Sequence, residues 1–554
     1  MKISSEENEE HISPTNHLLQ SLIHSIPQVQ TFKGKWSLIK SKLLILQTHI
    51  TDFSNFTSNT ISLDLLHSIH NTLSDSISLC ESCKDLTLPN GKLRTQNDVD
   101  SISTRLDRHI HDADLLLKSG VLDDDNNNNN SSLSLSVRAE IRCLITRLQI
   151  GSSDSRNSAM DSVMILLHGD DKNVLIAVGQ GIVPVLVRLL DSLSSHELKE
   201  KTVAALARVS SIDSNKSVLI DEGLLLLNNL CRVLESGSGF AKEKACIVLK
   251  ALSHAKENAR AIGSRGGISS LLEICQSGTP SSQAAAAGVC RNLSEFAEIK
   301  ENFIEENAIP ILLSLLASGT SSAQENAIGC LSLLICNDTQ LKLFIAKEGG
   351  IESLKNYWDS SPSIRNLEVA VDMVKNLASC PLIAETLITD GFLNRLIPLL
   401  NCGVLSIRTV SANAIYELSF NSRTRKELDS NYDSNCIPSL VKMLDGKAIE
   451  EREAAAKALS SLMGYAGNRR LFRKEGRGIM GTIQLLDPSV EKLDKKYPVL
   501  ILTSLVKSNK CRKEMIAGRA CIYLQKLCEI GDVEGAKKLL ENLGKGKLFG
   551  GLFG

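Results

Sequence analysis

The chain has 554 residues and a formal net charge of −1 at neutral pH, because 62 lysines and arginines nearly balance 63 aspartates and glutamates. This balance does not favour a nucleic-acid or membrane binder. Aromatic residues make up only 4% of the chain, which argues against an all-β protein, whereas 43% apolar residues are enough to bury a substantial core.

The N-terminal segment, residues 1–14, is polar and acidic, and we expect it to be disordered. It has no apolar signal core, and no stretch of the chain reaches the 18 apolar residues that a transmembrane helix needs. The 15 cysteines lie mostly inside apolar runs, which is typical of small buried residues in a reducing compartment. The sequence therefore predicts a protein of the cytoplasm, the nucleus or both.

Residues 15–120 show helical periodicity in four segments, 16–27, 33–53, 61–86 and 96–119. Four amphipathic helices of this length form a small bundle most simply. Residues 121–136 follow as a segment rich in Asp, Asn and Ser, which indicates a flexible linker or an inserted loop.

From residue 137 to residue 543 a pattern of two apolar residues, any residue and two further apolar residues recurs about every 42 residues. The first residues of successive patterns are Leu144, Leu186, Leu227, Leu271, Leu312, Leu354, Leu396, Leu440, Thr482 and Leu524. Around each of these anchors the sequence predicts a short first helix, a glycine with positive φ, a second helix that carries the anchor, and a longer amphipathic third helix. Such repeats bury their apolar faces only by stacking, so we predict about nine repeats and a partial terminal one.

Residues 544–554 form a tail rich in Gly, Leu and Phe. Such a tail either caps the apolar face of the last repeat or acts as a short docking peptide, and capping is the usual need of a terminal repeat.

These repeats resemble armadillo (ARM) repeats in their period, in the glycine between the first two helices and in stripes such as Pro184-Val-Leu-Val-Arg-Leu-Leu190. The stretch from Gly91 to Asp100, continued at Leu117 to Leu122, resembles the end of the helical domain of plant U-box/ARM proteins. A U-box of about 70 residues does not fit between the bundle and the repeats, so the chain resembles plant armadillo-repeat-only proteins. The resemblance implies an all-α fold in which the bundle precedes a right-handed α-α superhelix.

The sequence contains no P-loop, no dinucleotide-binding glycine motif, no zinc-peptidase motif and no serine-hydrolase motif. His67, His70, Cys80 and Cys83 have the spacing of two metal-ligand pairs. The segment between the pairs reads as uninterrupted helix, however, which places His70 and Cys80 about 15 Å apart, too far to share a metal. We therefore predict no enzymatic activity, no cofactor and no metal site.

The concave groove of an armadillo superhelix is lined by third helices, which in nuclear-import relatives present a Trp and, four residues later, an Asn that holds a peptide. At the equivalent positions of this chain no repeat has the Trp, and only Asn292 and Asn376 keep the Asn. These two side chains either hold an extended peptide or satisfy backbone groups of neighbouring turns. The predicted groove residues are Arg208, Asn292, Asn376, Asn413, Glu417 and Lys457.

Charge is distributed unevenly, since residues 401–554 hold 26 basic against 17 acidic residues. Basic clusters recur on predicted first helices at residues 423–426, 469–474 and 510–513. They form either a solvated outer face or a basic stripe for an acidic partner or anionic lipid.

The sequence therefore predicts a non-enzymatic scaffold that binds a protein segment along the groove, with no nucleic acid and no small-molecule substrate among its partners. Two alternatives remain: a substrate adaptor in a ubiquitin pathway without ligase activity, and a membrane-associated organiser that binds anionic lipid through the basic C-terminal part.

Overall fold

The structure, a computed structural model, describes residues 5–53, 60–85, 91–118, 133–191, 194–360, 362–364, 366–430, 435–531 and 533–544. These residues form α-helices joined by turns and short 3₁₀ segments, and none of them forms a strand. The chain divides into two compact units, Met1–Leu252 and Ser253–Gly554. We call them the N-terminal unit and the C-terminal unit.

The N-terminal unit begins with a bundle of four helices, α1 (Ser5–Ser25), α2 (Lys33–Phe53), α3 (Thr60–Ser82) and α4 (Lys92–Lys118). Helix α1 packs on α3, α2 packs on α4, and α3 packs on α4. The bundle is centred on a continuous apolar core that includes the fully buried Trp36, Leu43, Leu73 and Leu106.

Each of the four segments predicted from periodicity corresponds over most of its length to a helix, and the ends of α2 coincide with the prediction. Helix α1 begins at Ser5, so it extends into the stretch 1–14 for which disorder was expected. Residues 121–132 of the predicted linker 121–136 lie outside the described residues, and its last four residues belong to the helix that begins at Leu133.

Three repeats complete the N-terminal unit. The first has two helices and the next two have three each. In chain order they are α5 (Leu133–Ile150), α6 (Ser153–Gly169), α7 (Asp171–Gly179), α8 (Ile182–Leu189), α9 (His196–Ser210), α10 (Lys216–Asp221), α11 (Gly223–Ser236) and α12 (Gly239–Leu252). The third helices α6, α9 and α12 pack in succession on one another.

The C-terminal unit contains repeats 4 to 10, each with three helices. Repeats 4 to 6 comprise α13 (Lys256–Gly263), α14 (Gly267–Ser277), α15 (Pro280–Leu293), α16 (Lys300–Glu305), α17 (Ala308–Ser318), α18 (Ser321–Ile335), α19 (Thr339–Lys347), α20 (Gly350–Asp359) and α21 (Leu367–Ala378). Repeats 7 and 8 comprise α22 (Pro381–Thr389), α23 (Phe392–Leu396), α24 (Leu405–Leu418), α25 (Ser422–Ser430), α26 (Cys436–Leu444) and α27 (Ile449–Leu462). Repeats 9 and 10 comprise α28 (Ala466–Lys474), α29 (Gly478–Gln484), α30 (Lys496–Leu505), α31 (Asn509–Ala517), α32 (Ala520–Ile530) and α33 (Ala536–Gly544).

The anchors of the sequence pattern lie in the core. Leu186, Leu271, Leu354 and Leu440, for example, are fully buried on second helices. Thr482, the one polar anchor, is fully buried as well, and its hydroxyl donates a hydrogen bond to the Gly478 carbonyl oxygen at 2.7 Å. A polar side chain is tolerated there because its own helix satisfies it.

The turn between first and second helices has positive φ in most repeats, as the glycines predict. Gly223, Gly266, Gly349 and Gly391 have φ between 60° and 81°. In repeat 10 an arginine, Arg519, takes this conformation with φ of 62°. The backbone turn is therefore kept even where the residue that adopts it most easily is missing.

The tenth repeat, expected to be partial, has all three helices. Helix α33 packs on both α30 and α32, and its Leu539 and Leu543 are fully buried. Of the predicted tail 544–554, only Gly544 belongs to the described residues, so the remainder of that prediction lies outside them.

Candidate functional site

The predicted groove residues of the C-terminal unit lie on a continuous row of third helices. Helices α15, α18, α21, α24, α27 and α30 pack in succession, each on the next. Small buried residues such as Ala286, Ala287, Ala455 and Ala456 allow this close approach. We call the partly exposed side of these helices the third-helix row.

Asn376 joins two repeats within this row. Its side chain is only 8% exposed, and its amide nitrogen donates hydrogen bonds to the carbonyl oxygen of Ser332 at 3.1 Å and to the Ser332 hydroxyl at 2.9 Å. The Ser332 hydroxyl in turn donates to Asp372 at 2.8 Å, and Asp372 also forms an ion pair with Lys375. The Asn376 amide nitrogen is therefore already engaged in joining repeat 6 to repeat 5.

Asn292 occupies the equivalent position in repeat 4 and is 6% exposed. Its amide nitrogen donates to the Ser253 hydroxyl at 2.9 Å and lies 3.3 Å from Nε2 of His254. Both asparagines thus make contacts with residues that precede their own repeat. This pattern favours the structural alternative for their amide nitrogens.

Asn413, Glu417 and Lys457 come together on the adjacent helices α24 and α27, and all three side chains are partly exposed. Burial raises the pKa of Glu417, although the charges of Lys457, Lys342 and Lys375 act in the opposite direction. A carboxyl group held at a desolvation cost among three lysines is the type of perturbed group that marks functional surfaces.

Next to Glu417 lies a group of aromatic rings that the sequence analysis did not identify. Tyr416 makes edge-to-face contacts with Phe420, at 4.9 Å between ring centroids, and with Tyr497 of repeat 9, at 6.3 Å. Two ammonium groups lie over these rings: Lys457 over Tyr416 at 4.5 Å, and Lys496 over Tyr497 at 4.9 Å. We call these five residues the aromatic–lysine patch.

Phe420 is 60% exposed, so the patch presents apolar surface to solvent. A Trp–Asn pair four residues apart does not describe this patch, because its rings come from other positions in different repeats. The signal in the sequence was weak: six tyrosines occur in 554 residues, and two of them lie on the third helices of repeats 7 and 9.

Arg208 belongs to the N-terminal unit, where it joins the first two repeats. Its Nε donates to the Leu167 carbonyl oxygen at 2.9 Å, and its guanidinium forms an ion pair with Asp171. A third hydrogen bond goes to the Ser211 hydroxyl at 2.9 Å. The structure therefore gives Arg208 contacts within its own unit and does not bring it together with the other five predicted residues.

The basic clusters of repeats 8 to 10 lie on first helices, as predicted. Their exposed members are Arg423, Lys426, Arg470, Arg473, Lys474, Lys510 and Lys513. Helices α25 and α28 pack against each other, so the clusters of repeats 8 and 9 are neighbours.

Residues 60–82 form the single helix α3, which carries His67, His70 and Cys80, with Cys83 one residue beyond its end. Cys80 and Cys83 are fully buried in the bundle core, whereas His67 is exposed. Across the described residues, no group of three or more His, Cys, Asp or Glu side chains is arranged to hold a metal ion. All 15 cysteines of the chain are among these residues and are free thiols.

Within the part of the chain that the structure describes, no single helix has both the length and the apolar character to cross a membrane. One pair of helices, Asp171–Gly179 and Ile182–Leu189, meets that test only when the two are taken together, and they are bent by 85°.

Comparisons with known proteins support the repeat fold. Residues 13–121, which include most of the helical bundle, match a family model described as a domain of unknown function, DUF7032. Searching the curated proteins finds no match.

Two solved structures resemble the chain over most of its length. An engineered protein matches with a TM-score of 0.60 and 23% identity, over 73% of this chain and 99% of its own. A structure described as "A conserved phosphorylation switch controls the interaction between cadherin and beta-catenin in vitro and in vivo" matches with a TM-score of 0.61 and 17% identity, over 88% of this chain and 97% of its own. At these identities the likeness concerns the fold alone, which is an all-α, armadillo-like helical repeat fold.

Proposed function

We propose that this protein is a non-enzymatic scaffold that binds a segment of a partner protein along the third-helix row of its C-terminal unit. One observation carries the proposal: the aromatic–lysine patch extends over adjacent third helices of repeats 7 to 9 and exposes rings beside charged groups. Exposed aromatic rings with polar neighbours are the usual anchors of protein interfaces. The armadillo-like fold supports this role, since the beta-catenin structure it resembles concerns an interaction with cadherin.

The predicted groove residues have different parts in this proposal. Asn413, Glu417 and Lys457 flank the patch and would read polar groups of the partner. Asn292 and Asn376 would keep neighbouring repeats aligned through their amide nitrogens. Arg208 would contribute only to a contact with the N-terminal unit.

The proposal is tested by selecting peptides from a displayed random library on the full-length protein and measuring their affinities for variants. We expect Tyr416→Ala to weaken the binding of selected peptides about tenfold or more, because truncating an aromatic anchor costs at least ~1.4 kcal/mol of binding free energy. Tyr523→Ala is the matched control, since Tyr523 lies on the second helix α32 and outside the row. Failure to select any peptide, or equal binding to the Tyr416→Ala variant, would refute the proposal.

A second candidate, a membrane-associated organiser, is favoured by the neighbouring exposed basic residues on α25 and α28. Each basic group near an anionic surface contributes about 1 kcal/mol to binding. Sedimentation with vesicles that contain or lack phosphatidylserine separates this candidate from a purely protein-binding scaffold. Replacing Arg470 and Arg473 by Gln should then weaken lipid binding by about 2 kcal/mol, whereas replacing Lys347 and Lys355 should not.

The resemblance to plant U-box/ARM proteins, and with it a role as a substrate adaptor in a ubiquitin pathway, remains a proposal based on the sequence. So does residence in the cytoplasm or nucleus. An autoubiquitination assay with purified components addresses direct ligase activity, and we expect no product.

A further inference from the structure

A polar cavity in the N-terminal unit lies between the helical bundle and the first repeat. It has a volume of about 340 Å³ and is lined by helices α3 and α4 and by the turn that joins α5 to α6. This volume lies within the range of ~300–1,000 Å³ that is usual for small-molecule sites. None of the groove residues discussed above lines it.

Groups that favour negative charge converge on this cavity. Arg105 and Arg108 of α4 and Arg156 of α6 all line it. The N-terminus of the 17-residue helix α6 also faces it, with the N-cap residue Ser152 accepting a hydrogen bond from the Ser155 amide at 3.3 Å. Helix N-termini carry partial positive charge and commonly bind phosphate groups.

A buried histidine in the cavity wall lacks a partner on one side. His109 is only 6% exposed, and its Nε2 lies 2.9 Å from the Thr72 hydroxyl oxygen. The Thr72 hydroxyl also lies 3.0 Å from the Ser68 carbonyl oxygen, so its hydrogen can be donated to either partner. In either tautomer the buried Nδ1 atom has no hydrogen-bond partner.

Arg156, which also lines the cavity, has an unpaired group as well. The Nε–H group of Arg156 is also buried without a hydrogen-bond partner, although its Nη2 donates to the Gln149 carbonyl oxygen at 2.7 Å. Unpaired buried polar groups are costly, about 1–3 kcal/mol each. Both atoms, His109 Nδ1 and Arg156 Nε, have almost no accessible surface, so they lie behind the lining of the cavity and not on it.

We propose that this cavity binds a small phosphate or phosphate monoester in its singly protonated form. The phosphoryl oxygens would accept hydrogen bonds from Arg156, Arg108 and the start of α6, while the P–OH group would donate to the Asp112 carboxylate in the wall. Sulfate matches singly protonated inorganic phosphate in size and charge but carries no proton at neutral pH, so the Asp112 carboxylate would disfavour it.

Two acidic residues at the cavity bear on the choice between phosphate and sulfate. Asp64 of α3 lines the cavity and is exposed, whereas Asp112 of α4 is half-buried. Burial raises the pKa of Asp112 to about 6, against the lowering effects of His111, Arg156 and Arg108. Burial and the charges of Arg105 and Arg108 lower the pKa of His109 to about 4. At neutral pH the Asp112 carboxylate is therefore an acceptor, and acidification converts it into a neutral donor.

The test measures binding of inorganic phosphate, glycerol phosphate and sulfate to the full-length protein by calorimetry at matched ionic strength and near-neutral pH. We expect phosphate or its ester to bind at least about tenfold more tightly than sulfate. A preference for glycerol phosphate identifies an organic monoester as the ligand class, and a preference for inorganic phosphate identifies the free ion.

Substitutions test whether phosphate binds in this cavity. Arg108 is exposed, so Arg108→Gln should fold and weaken phosphate binding about tenfold, whereas Arg232→Gln on α11 removes an equal charge outside the cavity and should have no effect. Asp112→Asn replaces the carboxylate by an amide that can donate a hydrogen bond, so this variant should bind sulfate. Absence of phosphate binding, equal binding of sulfate to the wild-type protein, or equal losses in the two arginine variants would overturn the proposal.

Discussion

At the scale of single residues, Glu417 is a charged side chain on the third-helix row whose partial burial lowers the stability of the folded protein. Its carboxyl group is partly buried, and burial outweighs the attraction of three lysines, so its pKa is raised. Folding therefore favours the protonated form over the charged form. A glutamate kept at such a cost is consistent with a role in recognition.

The pKa of Glu417 leads to a prediction for the Glu417→Gln variant. Because the folded-state pKa is raised, the contribution of this group to stability falls as pH rises from the ordinary glutamate pKa through the folded-state pKa, and it stays low above that. A glutamine does not ionise and so does not lose stability as the pH rises. The variant should therefore be more stable than wild type at neutral pH and equally stable in acid. Thermal unfolding as a function of pH measures the difference.

Glu301→Gln is the control, since Glu301 is an exposed residue on α16, and its stability should match that of wild type at every pH. A Glu417→Gln variant that is less stable than wild type at neutral pH would mean that attraction to the lysines exceeds the cost of burial.

At the scale of elements, each repeat depends on a tight turn between its first and second helices. Gly349 provides this turn in repeat 6 with φ of 81°, and no atom lies within 4 Å of the place where a Cβ would stand. Only the backbone conformation therefore opposes a side chain at this position. Arg519 meets the same requirement in repeat 10 without the freedom of glycine.

We predict opposite effects of two substitutions at these turns. Gly349→Ala should destabilise the protein by about 1–2 kcal/mol, which is the cost of a left-handed conformation for an L-residue. Arg519→Gly should be slightly stabilising, because relief of that strain exceeds the greater chain entropy of glycine in the unfolded state. Denaturant unfolding measures both changes.

Gly403→Ala serves as the control, since Gly403 is exposed, has no positive φ and also has open space at its Cβ. Equal effects of the alanine substitutions at Gly349 and Gly403 would show that the positive φ is not what selects glycine.

At the scale of the whole molecule, the end of the repeat array needs a cover for its apolar face. In the C-terminal unit α33 provides this cover, since it packs on α30 and α32 and buries Leu539 and Leu543 completely. Repeat proteins gain stability mainly from contacts between neighbours, so damage at an end stays local.

We accordingly predict that Leu539→Ala lowers the opening free energy of repeats 9 and 10 by about 2–5 kcal/mol, the usual cost of such a cavity. Hydrogen exchange should show the loss in α30 to α33, with unchanged protection in repeats 4 to 6. Lys538→Ala is the matched control, because the neighbouring Lys538 is exposed. Loss of protection throughout the C-terminal unit would mean that its repeats open together.

Most of the fold could be predicted from the sequence, because the features that specify a repeat are local. The 42-residue spacing of apolar anchors and the glycine turns identified the second and third helices, and even Thr482 occupies its predicted anchor position in the core. The first repeat, which has two helices, and the complete tenth repeat differ from the expectation because end repeats have only one neighbouring repeat and their patterns deviate.

The candidate sites depended on the tertiary structure. Helical spacing alone could not show that Asn376 is engaged by Ser332 or that Tyr416 meets Tyr497, because such contacts depend on how third helices of different repeats pack. The cavity beside His109 likewise combines residues from the bundle and the first repeat that lie far apart in the chain. The sequence by itself determined the repeat, since its pattern reflects near-neighbour burial, whereas only the packing of separate elements decided which polar and aromatic groups share a surface.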